Sequence, residues 1–261
     1  MTELLATMLA SQQILSLLLV FLRISVILFL LPIFGSVNLP RIWKASVALI
    51  LTVCLGPMVI HRPIVAIHGG WQLAFMLGSE VLLGAILGLA VLLIFSSLEV
   101  AGEFMGFQMG FTIVNVIDPQ NDTQTSVIGE FIYVLGLLIF FTMNGHHYLL
   151  QAMIRSFELV PPGGFALHAS AASKIVKLSG QMFVIGLKIA APVIAALLLT
   201  TVALGIVSKT VPQINILIVG FPLNIGIGLL LFGFSIGTLI PYCARVFTEF
   251  LPLLDALMLG R

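Results

Sequence analysis

Few side chains in this 261-residue chain could do chemistry, and their spacing limits what each can be. His146 and His147 stand together in Asn144-Gly145-His146-His147 and invite a metal reading. Neighbouring residues on a helix diverge by about 100 degrees, and no Glu-x-x-His or His-Glu-x-x-His pattern accompanies them, so they read as the polar end of a helix. Glu99 and Glu103 fall at i, i+4, a spacing that would serve a proton relay, although two acids at a helix end are more often interfacial. Cys54 and Cys243 lie beside apolar blocks without a C-x-x-C pattern and read as small core fillers. No nucleophile elbow, phosphate loop or glycine-rich nucleotide fingerprint occurs. The expectation is a non-enzymatic protein with no metal and no cofactor.

Three further charges are conspicuous because of where they stand. Arg23, Glu80 and Lys188 each interrupt a long apolar block. A charge at a bilayer centre costs roughly 2.5–3.5 kcal/mol on insertion scales, so each needs a partner or a wet surface. Two readings stay open. In one, Arg23, Glu80 and Lys188, with Lys209, form ion pairs between subunits of an assembly; in the other, the basic side chains snorkel to water.

The elements that carry these residues are hydrophobic throughout. The chain is 60% hydrophobic and 8% charged, with a mean hydropathy of +1.22, whereas a soluble domain carries about 25% charge. That is a membrane-class composition, and the net charge of +1 points to apolar protein or lipid as partner, not nucleic acid. Apolar blocks run at about 4–33, 45–60, 72–98, 127–150, 181–207 and 214–240, before an amphipathic tail at 241–261. A span needs ~20 residues, so six hydrophobic helices and an all-α fold are expected, with 45–60 short. The first block lacks the basic leader and closing cleavage site of a signal peptide and reads as a retained helix. Most prolines, Pro57 and Pro241 among them, stand at or near block ends, while Pro192 and Pro222 fall inside blocks, where kinks are expected. Loop charges leave the orientation undecided: Arg41, Lys44 and Lys209 fall on one side, Arg62, Arg155, Lys174 and Lys177 on the other. Blocks 181–207 and 214–240, joined by Ser208–Gln213, read as a helical hairpin rich in glycine and alanine, a surface suited to close neighbours.

One stretch breaks the pattern. In Ala101–Pro119, Gly102, Gly106 and Gly110 recur every four residues, with Phe104, Phe107 and Phe111 on the opposite side. The following run Thr112–Ile117 is β-branched, and Asp118 before Pro119 is biased away from helix. The expectation is a glycine-notched helix breaking into an apolar loop, with Gly102, Gly106, Gly110 and Pro119 as packing and hinge positions. Such a loop near membrane depth must be buried in protein or line a cavity. Phe107, Met109, Phe111, Ile113, Val114, Val116 and Ile117 therefore read either as a hydrophobic constriction that gates by excluding water or as a packed interhelical loop.

The motifs Ala101-Gly102-Glu103-Phe104, Gly106, Gln108-Met109-Gly110, Asp118-Pro119, Phe141-Thr142, Asn144-Gly145-His146, Pro212-Gln213 and Val219-Gly220-Phe221-Pro222-Leu223, in this order, resemble the FliR family of type III export-gate proteins. The resemblance implies a subunit of a multi-pass assembly in the bacterial inner membrane at the flagellar basal body. One such chain would join several copies of FliP and FliQ, with FlhB and FlhA as neighbours and exported flagellar proteins as transient substrates. It also implies a FliP-like part at 1–150 fused to a FliQ-like part at 151–261, and a plug loop at about 106–122. Family members can place phenylalanines at the positions matching Ile113 and Val116, where this chain has aliphatic residues. The competing reading from the residues alone is a stand-alone secondary transporter with Arg23, Glu80 and Lys188 at its substrate or proton site.

Overall fold

The computed structural model describes residues 2–32, 40–59, 69–111, 126–165, 169–211, 213 and 216–249, with a few positions between 252 and 258. Every regular element among them is a helix: α1 (Thr2–Leu30), α2 (Arg41–Val59), α3 (Gly70–Met109), α4 (Val127–Thr142), α5 (Gly145–Leu159), α6 (Ala169–Thr210) and α7 (Ile216–Thr248). Five of them are long and apolar enough to cross a membrane, or six if α4 and α5 count as one broken span.

The helices differ from the apolar blocks in instructive ways. The third block does not stop at residue 98. α3 runs for 40 residues, through Glu99 and Glu103, because nothing before Gly110 obstructs helical geometry. The fourth block is broken at Met143–Asn144, where Asn144 adopts the left-handed conformation at φ 58° and Gly145 opens α5. Pro57 lies in the last turn of α2, near its end as expected, whereas Pro241 lies inside α7, as Pro192 and Pro222 lie inside α6 and α7.

The chain forms two compact units from interleaved segments. The first comprises residues 1–93, 144–178 and 249–261; the second comprises 94–143 and 179–248. Within the first, α1 packs against α2. α1 turns one stripe inward: Ser16, Leu19, Val20, Arg23, Ile24, Ile27 and Leu28 are buried at i, i+3, i+4 spacing. The first half of α3 meets it at Gly84 and Gly88, where a methyl group would press on the Arg23 carbonyl oxygen at 3.0 Å and the Leu30 side chain at 2.7 Å. That i, i+4 glycine pair brings two backbones together where lipid supplies no hydrophobic drive. The second unit has an aromatic centre: Phe95 packs its ring against those of Tyr133, Phe140 and Phe247 at centroid distances of 5.3–6.2 Å.

Candidate functional site

Arg23 and Glu80 lie on the inward stripes of α1 and α3, and both are 0% exposed. Their side chains form a bidentate pair, Arg23 Nε donating to Glu80 Oε2 at 2.6 Å and Nη2 to Oε1 at 2.9 Å. The remaining guanidinium protons are spent on the end of α5. Nη1 donates to the Ser156 carbonyl at 2.9 Å and the Val160 carbonyl at 3.1 Å, and Nη2 also reaches Val160. Those carbonyls stand at the negative end of the α5 dipole, where a cation is favoured. Phe157 lies beneath, its ring centroid 4.2 Å from the guanidinium carbon. Glu80 Oε1 in turn accepts the Gly163 N–H at 2.6 Å. Gly163 is left-handed at φ 76°, and a side chain there would strike Met76, so the turn after α5 admits only glycine without strain.

This cluster is closed. A buried ion pair persists when its leftover hydrogen-bonding capacity is filled, and here all five guanidinium protons have acceptors. Arg23 and Glu80 thus find each other inside one chain; neither needs the inter-subunit partner expected from the sequence, and neither offers a free group to a solute. Lys188 and Lys209 are different, since both are exposed on α6.

The second unit contains the glycine-notched helix. Gly102 and Gly106 are buried and face the start of α4: a methyl group on Gly102 would strike the Gly129 backbone, and one on Gly106 would strike Ser126 Oγ. Ser126 is the N-cap of α4, its hydroxyl accepting the Gly129 N–H at 3.4 Å, and it donates to the Gly102 carbonyl at 3.5 Å. Gly110 does something else. With φ 93°, it ends α3: the Gly110 N–H bonds the Phe107 carbonyl at 3.1 Å and the Phe111 N–H bonds the Gly106 carbonyl at 3.0 Å. This is the Schellman arrangement, with glycine at the first position past the cap.

The last turn of α3 also interlocks with α7. The ring of Phe221 lies over bare Gly110, 2.7 Å from where a Cβ would stand, and Met109 is fully buried with its side chain over bare Gly228. Phe104 and Phe107 point away from this seam and are exposed, at 37% and 69%; Phe111 is half-buried. Ile113, Val114, Val116, Ile117 and Pro119 lie outside the described residues.

Among the described residues no group of three or more His, Cys, Asp or Glu side chains is placed to hold a metal. His146 and His147 sit at the start of α5 with ring centroids 4.3 Å apart. Glu99, Glu103 and Glu130 are exposed. Cys243 is a buried core filler, whereas Cys54 is exposed, contrary to expectation. A cleft of about 650 Å3, lined by Trp71, Phe75, Met76, Ser79, Gly163 and Phe165, is apolar and holds no titratable side chain. Sequence reasoning passed over Gly84, Gly88, Ser156 and Gly163. The i, i+4 spacing of the first two was a readable signal; Ser156 and Gly163 contribute chiefly backbone atoms, which leave none.

An all-helical chain of membrane-class composition, organised by a closed charge cluster and a glycine seam, belongs among polytopic membrane components. Residues 14–250 match the family described as bacterial export proteins, family 1, and the chain belongs to that family. It is similar to the flagellar biosynthetic protein FliR of Bacillus subtilis, 38% identical over 220 residues that cover 82% of this chain and 83% of that protein. The FliR of Escherichia coli is 29% identical over 235 residues (89% and 88%), and that of Aquifex aeolicus 27% over 241 residues (92% and 93%).

Proposed function

We propose that this chain is a non-enzymatic subunit of the flagellar type III export gate in the bacterial inner membrane. In this reading it assembles with FliP- and FliQ-like proteins into the pore through which unfolded flagellar proteins leave, with FlhB- and FlhA-like proteins as neighbours. The 1–150 part stands for the FliP-like portion and 151–261 for the FliQ-like portion, with Lys209 near the tip of its hairpin as a cation open to neighbours. Family membership over residues 14–250 supports the export role.

The segment around 106–122 is the plug in this reading. One observation carries it: α3 and α4 are sewn together at Gly102–Gly129 and Gly106–Ser126, one turn before α3 ends and at the N-cap where α4 begins, so the described helices on both sides of that segment are held to each other. In this reading a passing substrate displaces the segment. Ile113, Val114, Val116 and Ile117 supply the apolar surface that excludes water, and Phe107 and Phe111 its border. Replacing Ile113 and Val116 by glycine, or deleting part of 112–117, is expected to raise ion conductance through the reconstituted assembly; unchanged conductance removes the plug assignment. Co-purification of two small hydrophobic proteins in fixed ratio tests the assembly itself. The transporter reading loses its site, because the Arg23–Glu80 pair is spent on internal bonds.

A further inference from the structure

From Leu178 to Ser208, α6 carries one charged side chain, Lys188. Within its unit, α6 buries a narrow stripe, Gly186, Ile189, Ala190, Val193 and Leu197. At 100 degrees per residue Lys188 projects from the side opposite that stripe. It is exposed there, and among the described residues no hydrogen bond or ion pair holds it. Val184 shares its face one turn earlier, and Ala191, Ala195, Leu199, Val202 and Ile206 continue it; Val184, Leu199, Val202 and Ile206 are 51–72% exposed. At 1.5 Å per residue, Val184–Ile206 extends roughly 33 Å, close to the thickness of a hydrocarbon core. Lys188 therefore stands one turn, about 6 Å, inside the Val184 end of this apolar face. The two side chains that follow it on that face are alanines, which let another backbone come close enough for an acid to reach Nζ.

We propose that this face of α6 docks an apolar helix of a second polypeptide, and that the helix bears a carboxylate that pairs with Lys188. Charge complementarity selects the partner: between Val184 and Ile206 the exposed face carries one cation, Lys188, and no group among the described residues of this chain answers it. The inference rests on the chain being a subunit of a multi-protein assembly, and the first measurement is of that assembly. If wild-type protein purified from its own membranes brings no companion, the assembly reading fails and takes this inference with it.

With companions present, a lipid-permeant carbodiimide, which joins an amine to a carboxylate without a spacer, tests the pair directly. The expected product is an isopeptide bond from Lys188 to one Asp or Glu peptide in an apolar segment of a companion, absent in Lys188→Met. Lys188→Glu is expected to lower companion recovery at least five-fold, and changing the linked acid to lysine is expected to restore it. Two results overturn the inference while leaving the assembly standing: Lys188→Glu recovering companions like wild type, or complete labelling of Lys188 in the intact complex by a water-soluble acylating reagent, which is the signature of a snorkelled side chain.

Discussion

Each of the two units brings apolar helices together, and they do so by opposite means. In the first, the Arg23–Glu80 pair joins α1 to α3 and ties both to the turn after α5, with bonds of 2.6–3.1 Å that fill the guanidinium. In the second, Gly102, Gly106 and Gly129 remove side chains so that α3 and α4 touch backbone to backbone. The charged cluster specifies one arrangement, because any displacement strands a buried ion. The glycine seam specifies closeness alone, and the cross-helix hydrogen bond it carries is the long one from Ser126. The contrast explains why a closed cluster suits a fixed scaffold, while a seam suits the elements flanking a segment proposed to move.

The largest effect follows from stranding a charge. Glu80→Ala leaves Arg23 buried without its carboxylate, and breaking such a pair costs about 3–5 kcal/mol. The expected outcome is a large fall in thermal midpoint in detergent, or loss of folded protein. Arg23→Met combined with Glu80→Leu removes both charges and is expected to be milder than Glu80→Ala alone. If the double variant is as damaged as the single one, the cluster does not act as a pair and the contrast between the units is lost.

Next in size is overfilling the seam. Gly102→Ala drives a methyl group into the Gly129 backbone, and overpacking of this kind costs about 1–3 kcal/mol. Gly110→Ala acts on the helix end instead: at φ 93° an L-residue is strained by roughly 1–2 kcal/mol, and the new Cβ meets Phe221. Both should lower the thermal midpoint, and Phe221→Ala should recover part of the loss at Gly110 but none at Gly102. Equal recovery at both positions would show that the interlock with α7 and the seam with α4 are one structure.

Much of this architecture was legible in the sequence, and what was not has physical causes. Apolar blocks announced the helices because length and hydropathy suffice for that. Their limits were less visible: α3 passes through Glu99 and Glu103 because exposed acids do not break a helix, and the stop before α5 depends on one left-handed Asn144. The pairing of Arg23 with Glu80 spans 57 positions, and α1 is apolar all round, so no periodic pattern marks which face turns inward. The every-fourth glycines did signal close packing. They could not reveal that Gly110 caps the helix while Gly102 and Gly106 line the seam, because spacing carries no dihedral angle.

The smallest effect sharpens the comparison most. Gly226, Gly233 and Gly237 share one exposed face of α7, and nothing lies within 4 Å of where their side chains would be, whereas Gly228 on the other side is filled by Met109. Alanine at the three open positions should leave the thermal midpoint of the chain unchanged or raise it slightly, since a helical glycine costs up to about 1 kcal/mol relative to alanine. Leucine at Gly233 should also leave the isolated chain intact, because the space is empty. In the assembly the expectation reverses: if these glycines form a second seam awaiting another polypeptide, Gly233→Leu should reduce companion recovery without touching stability. A variant that assembles normally would mean that the open glycine face meets lipid and that close helix packing in the second unit is confined to the seam joining α3 to α4.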